Sequence, residues 1–180
     1  MIDAEHCQAF AAYNTWMNEK LYDCAQELSD EARKLDRGAF FRSIHSTLNH
    51  VLWSDRLWVN RFTGSKYQTG TIGVDLYGDF EHLRLARVEI DAELTDWALR
   101  VRPEQLAGSL TWIPSGGERD ITRPMWLCVT HLFNHQTHHR GQVTTLIKQA
   151  GIDPGVTDLA WAPLARDAAG RIILSDEYAL

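Results

Sequence analysis

The chain has 180 residues, of which 44% are hydrophobic and 23% charged, the balance of an ordinary globular domain. That excludes collagen-like, low-complexity and predominantly disordered architectures, and it is enough chain for one core without disulfides. With 18 Lys+Arg against 24 Asp+Glu the formal net charge is −6, which disfavours sequence-independent nucleic-acid binding and docking on anionic membranes.

The N-terminal MIDAEHCQAF has neither a basic segment nor an apolar segment of a secretory leader, and no apolar run approaches the ~18 residues of a membrane span. The cysteines Cys7, Cys24 and Cys128 form no C-x-x-C, which suits reduced thiols. The expectation is a cytoplasmic protein, a single domain over residues 1–180, with no membrane segment.

Hydrophobic spacing predicts four long helices. The first covers residues 3–28, with Phe10, Tyr13, Met17, Leu21, Cys24 and Leu28 on one face. The second covers 39–62, with Phe41, Ile44, Leu48, Val51, Asp55, Trp58 and Phe62 in register and Gly64 as its stop. Residues 63–78 read as a long irregular connection. The third helix covers 80–101, capped by Asp79. Leu110–Ile113 and Asp120–Thr122 flank Ser-Gly-Gly and predict a small hairpin. The fourth helix covers 124–150, with Pro124 in its first turn and Gly151 ending it. The tail, IDPGVTDLAWAPLARDAAGRIILSDEYAL, reads as irregular. The fold class is all-α, a four-helix bundle whose long central connection allows a crossover.

Histidine dominates the candidate chemistry. The fourth helix carries THLFNHQTHHRGQ, in which His131, His135 and His139 recur every four residues on one stripe. Neighbours one turn apart can share a metal ion, whereas His131 and His139 lie ~12 Å apart along the axis. Spacing leaves the pair open, either 131/135 or 135/139. The second helix offers His45 and His50. If the two helices pack flush, His50 lies at the level of His135 and His139. Its angular position, on the flank of the apolar stripe, suits an accessible groove. Three neutral imidazoles and an open position form a catalytic zinc arrangement, which also suits nickel, iron or cobalt. Glu-x-x-His and H-E-x-x-H are both absent, which argues against a di-iron carboxylate site and a zinc peptidase.

Several stretches together resemble the DinB family, a group of YfiT-like metal-binding proteins. They are FAAYNTWMNEKLYD at 10–23, FFRSIHSTLNHVLWSDRLWVNRF at 40–62, THLFNHQTHHRGQVTTLIKQAG at 130–151 and DPGVTDL at 153–159. N-H-x-x-x-x-D-x-x-W followed by H-x-x-x-H-R-G-Q is a jointly specific pair. The resemblance implies an up-down-down-up four-helix bundle with a divalent metal on His50, His135 and His139. It also implies thiol-dependent transfer or isomerisation, using a low-molecular-weight thiol, as one class of activity.

The other residues carry plainer expectations. His131 either lines the pocket behind the ligands or is a helix-face residue packed in the bundle, the second being the simpler reading; His138 lies at the rim, and His6, His45 and His82 are ordinary. Cys128 is a small core residue. Arg140 pairs with a carboxylate across a subunit or intramolecular interface or, more simply, is solvated; Gly141 permits close approach of a neighbouring backbone, and Asp55 has a hydrogen-bond partner in the core. Trp53 and Trp126 are exposed and mark a homodimer face.

Two functional expectations follow. One is a metal-dependent enzyme with a divalent cation (zinc, nickel or iron), a small-molecule substrate and a thiol cofactor or metal-activated water. The other is a non-catalytic metal-binding stress or interaction protein acting as a dimer.

Overall fold

The structure, a computed structural model, describes residues 2–114 and 117–175. Ser115-Gly116 of the expected turn and residues 176–180 of the tail lie outside the described residues. In chain order the elements are α1 (Ala4–Gln26), α2 (Asp30–Lys34), α3 (Ile44–Thr63), α4 (Phe80–Arg100), α5 (Pro103–Ala107), β1 (Ser109–Trp112), β2 (Ile121–Pro124) and α6 (Met125–Gln149). A 3-10 turn at Leu159–Trp161 and the strands β3 (Leu164–Arg166) and β4 (Ile172–Leu174) follow. The fold is mostly helical, with two small antiparallel strand pairs, β1–β2 and β3–β4. No helix among the described residues is long and apolar enough to cross a membrane.

Side-chain caps set the helix starts. Asp3, Ser43 and Asp79 each accept a hydrogen bond from the backbone N–H three residues on. Gly64 and Gly151, at φ 80° and 94°, take the left-handed conformation that ends a helix.

The long helices pack in the cyclic order α1–α4–α3–α6. Their directions follow from the residues that meet. Asn18 meets Asp91 and Tyr22 meets Phe80, so α1 and α4 run antiparallel. Phe10 meets Phe133 and Asn14 meets Arg140, so α1 and α6 run parallel. Asp55 meets Arg87 and Phe62 meets Trp97, so α3 and α4 run parallel. His50 meets His139 and Trp58 meets His131, so α3 and α6 run antiparallel. The connection over 64–79 is long enough to return the chain for the parallel α3–α4 pair. Met17, Leu21, Leu52, Leu94, Leu132 and Ile147 fill the centre.

A polar network crosses this core. Arg87 donates to Asp55 Oδ2 at 2.5 Å, and its other terminal nitrogen lies 2.8 Å from Asp91 Oδ1. Asp91 also accepts from Asn14 and Asn18. Arg140 donates to Asn14 Oδ1 and lies over the Tyr13 ring. Two carboxylates and two guanidinium groups from α3, α4 and α6, bridged by amides of α1, therefore balance in charge, as buried ions require. Asp55 has the partner expected of it.

Several expectations are corrected. The hairpin expected between the third and fourth long helices is present as β1–β2, but the tail is not irregular throughout. Asp167 Oδ1 accepts from Ala169 N and Arg171 N, and Gly170 takes φ 79°, closing a turn that pairs β3 with β4. The second helix begins at Ile44 and not at 39, because Arg42 sits at φ 65° and Ser43 supplies the cap. Pro124 ends β2 instead of entering α6. Arg140 is buried, not solvated, because the network holds it. A Cβ at Gly141 would meet nothing within 4 Å, so no close backbone approach explains that glycine. Trp53 and Trp126 are half-buried, whereas Trp161 is 73% exposed.

Candidate metal centre

His50 projects from α3, and His135 and His139 project one turn apart from the antiparallel α6. One ligand-capable atom of each lies within 4.8 Å of the others. The Nε2 atoms of His50 and His135 are 3.2 Å apart. The ring centroids of His135 and His139 are 4.3 Å apart, and those of His50 and His139 are 4.5 Å apart. Packing brings the 135/139 pair together with His50, and His131 stays outside this cluster.

The donor set fits a divalent cation. Two nitrogens bound tetrahedrally at 2.0–2.1 Å to one ion stand about 3.3 Å apart, close to the observed separation of 3.2 Å. Burial disfavours the charged form of all three imidazoles, and the neutral form is the one a metal ligand needs. Burial first, then the neighbouring His139, pushes His50 down to about 4. Burial and the surrounding histidines push His135 down to about 3. Burial lowers His139 as well, partly opposed by its bond to Gln142. His139 Nδ1 donates to Gln142 Oε1 at 2.8 Å, which leaves the Nε2 lone pair free.

Aromatic rings wall the centre. Phe41 stacks on His50 at 3.8 Å between centroids and lies 5.6 Å from His139. Trp53 lies nearly parallel to His50 at 5.8 Å. With Phe41 over it, His50 is only 7% exposed, less open than the expected groove position. The turn that carries Phe41 is held by Arg37 N–H on Arg42 O and Arg42 N–H on Ala39 O.

The remaining histidines separate by role. His45 is fully buried and bonds the Tyr77 carbonyl through Nε2 at 2.8 Å. Asn49 clamps the same residue through both its carbonyl and its N–H, so the residue beside His50 anchors the 64–79 connection. Of the two placements expected for His131, packing in the bundle is not observed: it is exposed, and its ring lies along the edge between Trp58 and His135. His138 is at the rim. Cys128 is buried on α6. Asp55 faces Arg87, and the three-membered cluster contains no carboxylate. Sequence reasoning assigned no role to Gln142. Its i,i+3 spacing from His139 was the available signal.

Comparisons with known proteins identify the family of the chain. The family model described as DinB family matches residues 1–169. Protein DinB of Bacillus subtilis (strain 168) is 31% identical over 156 residues, covering 81% of this chain and 87% of that protein. A crystal structure of a DinB-like protein from Bacillus cereus ATCC 10987 is similar in fold, with a TM-score of 0.59 at 21% identity. That match covers 79% of this chain and 91% of the other. With its sequence matched over nearly its whole length and three histidines gathered between two antiparallel helices, the chain belongs to the DinB family.

Proposed function

We propose that His50, His135 and His139 hold one divalent cation (zinc, nickel or iron) with an open coordination position, in a metal-dependent enzyme. The carrying observation is the convergence of three neutral imidazoles from two helices within 4.8 Å. The frame is one domain, an up-down-down-up four-helix bundle. When bound, the cation lowers the pKa of a water or thiol and polarises a carbonyl. The chain's own residues orient and shield. Gln142 holds the His139 tautomer, and Phe41 limits water at the His50 side.

The reaction class is thiol-dependent transfer or isomerisation of a small molecule, with hydrolysis by activated water as the variant. The three unpaired cysteines suit a reducing cytoplasm. A second reading is a non-catalytic metal-binding homodimer. Trp161, 73% exposed, together with the exposed Val156 and Leu159 supports it.

The test is elemental analysis of untagged protein beside the His135→Ala/His139→Ala variant. About one equivalent of metal, lost in the variant, supports the site. An azide- or thiol-induced change in the cobalt-loaded spectrum supports the open position. A metal that ignores both ligands favours the non-catalytic reading, and absence of binding after reconstitution overturns the site.

A further inference from the structure

The sequence is acidic overall, yet a cationic corner lies beside the three-histidine cluster. Arg61, in the last turn of α3, is half-buried, and burial depresses its pKa. Its guanidinium lies 4.5 Å from the Trp58 ring centre and 4.9 Å from that of Trp112, so two indoles, one from α3 and one from β1, fix its position. Among the described residues no ion pair reaches it, and no carboxylate contributes to its pKa shift. A second cation, Arg123 of β2, joins Arg61 in its influence on the Cys128 thiol. A half-buried guanidinium without a counter-ion bears a desolvation cost that an anionic ligand would offset.

The corner is continuous with the candidate centre. Trp58 meets His131 at 5.1 Å, and His131 meets His135 at 5.9 Å. His131 is one turn from His135, about 6 Å along the helix. His131 is exposed, so the edge from His135 to Arg61 lies at the surface, where a molecule with its reacting group at the three histidines would bring a second group to Arg61. The opposite side, at Phe41 and the 83% exposed Phe40, is apolar.

We propose that Arg61, stacked between Trp58 and Trp112, is the docking point for a carboxylate on the substrate or its co-substrate. The ligand class is an extended organic anion that spans the histidine edge. The three-histidine proposal enters only as the place where the other end of the ligand sits. The anion site itself is tested without metal.

The experiment titrates metal-free protein with glutarate and follows the indole N–H resonances of Trp58 and Trp112, assigned with Trp58→Phe and Trp112→Phe. The expected result is a saturable shift of both resonances, weakened about tenfold or more in Arg61→Gln and partly retained in Arg61→Lys. Glutaramide, the neutral isostere, leaves both unchanged. The proposal is overturned if glutarate causes no shift, if Arg61→Gln responds like wild type, or if chloride at equal ionic strength gives the same shifts. The cobalt spectrum with azide reports on the histidine site separately, so failure of one reading is distinguishable from failure of the other.

Discussion

His139 and Gln142, three residues apart on α6, are joined by a 2.8 Å bond from imidazole Nδ1 to amide Oε1. An amide oxygen only accepts, so the proton sits on Nδ1 and the Nε2 lone pair is left for a metal. Gln142→Ala should therefore weaken metal binding by about 10–100-fold without unfolding the protein. Competition against a chromophoric chelator measures it. Unchanged affinity would remove Gln142 from the site.

His131 and His50 should differ sharply. His131 lies outside the cluster, so His131→Ala should retain about one equivalent of metal, whereas His50→Ala should lose it. Equal retention in both variants would show that another donor replaces His50.

The metal-free protein should lose stability on acidification. The ordinary histidine value is 6.5, and the folded values are about 4 for His50 and about 3 for His135. Between 6.5 and those values the unfolded chain binds protons that the folded chain refuses. Stability falls as pH falls through that window. His50→Gln/His135→Gln removes both groups and should flatten the dependence. Urea midpoints from pH 7.5 to 4.5 test this, and identical slopes in variant and wild type would refute it.

Arg87→Met should be strongly destabilising, by about 3–5 kcal/mol, because it leaves buried Asp55 and Asp91 without their shared cation. Ser43→Ala, which removes the α3 cap and a side-chain bond to Ser46 Oγ, should cost about 1 kcal/mol. Chemical denaturation of both variants at one pH compares them, and equal losses would contradict the buried network.

Periodicity located the four long helices because each buries one stripe against its neighbours, and the four-residue spacing of His131, His135 and His139 is a property of a single helix. Those features are local, so they can be read from consecutive residues. The turn at Asp167–Gly170 was readable too, from its Asp and Gly, though the weak three-residue strands beside it hid the pairing.

Other features required the packed chain. Which two of the three spaced histidines join His50 depends on the antiparallel register of α3 and α6, which spacing cannot supply. Arg140 reads as a surface residue until Asn14, 126 positions away in sequence, meets it inside the core. Arg61 has Trp58 beside it on its own helix but gains the Trp112 indole only when β1 folds against α3. The helices were set by local spacing and caps. The three-histidine cluster and the charge network were set by contacts between distant segments, because a ligand geometry and a buried charge balance exist only between elements.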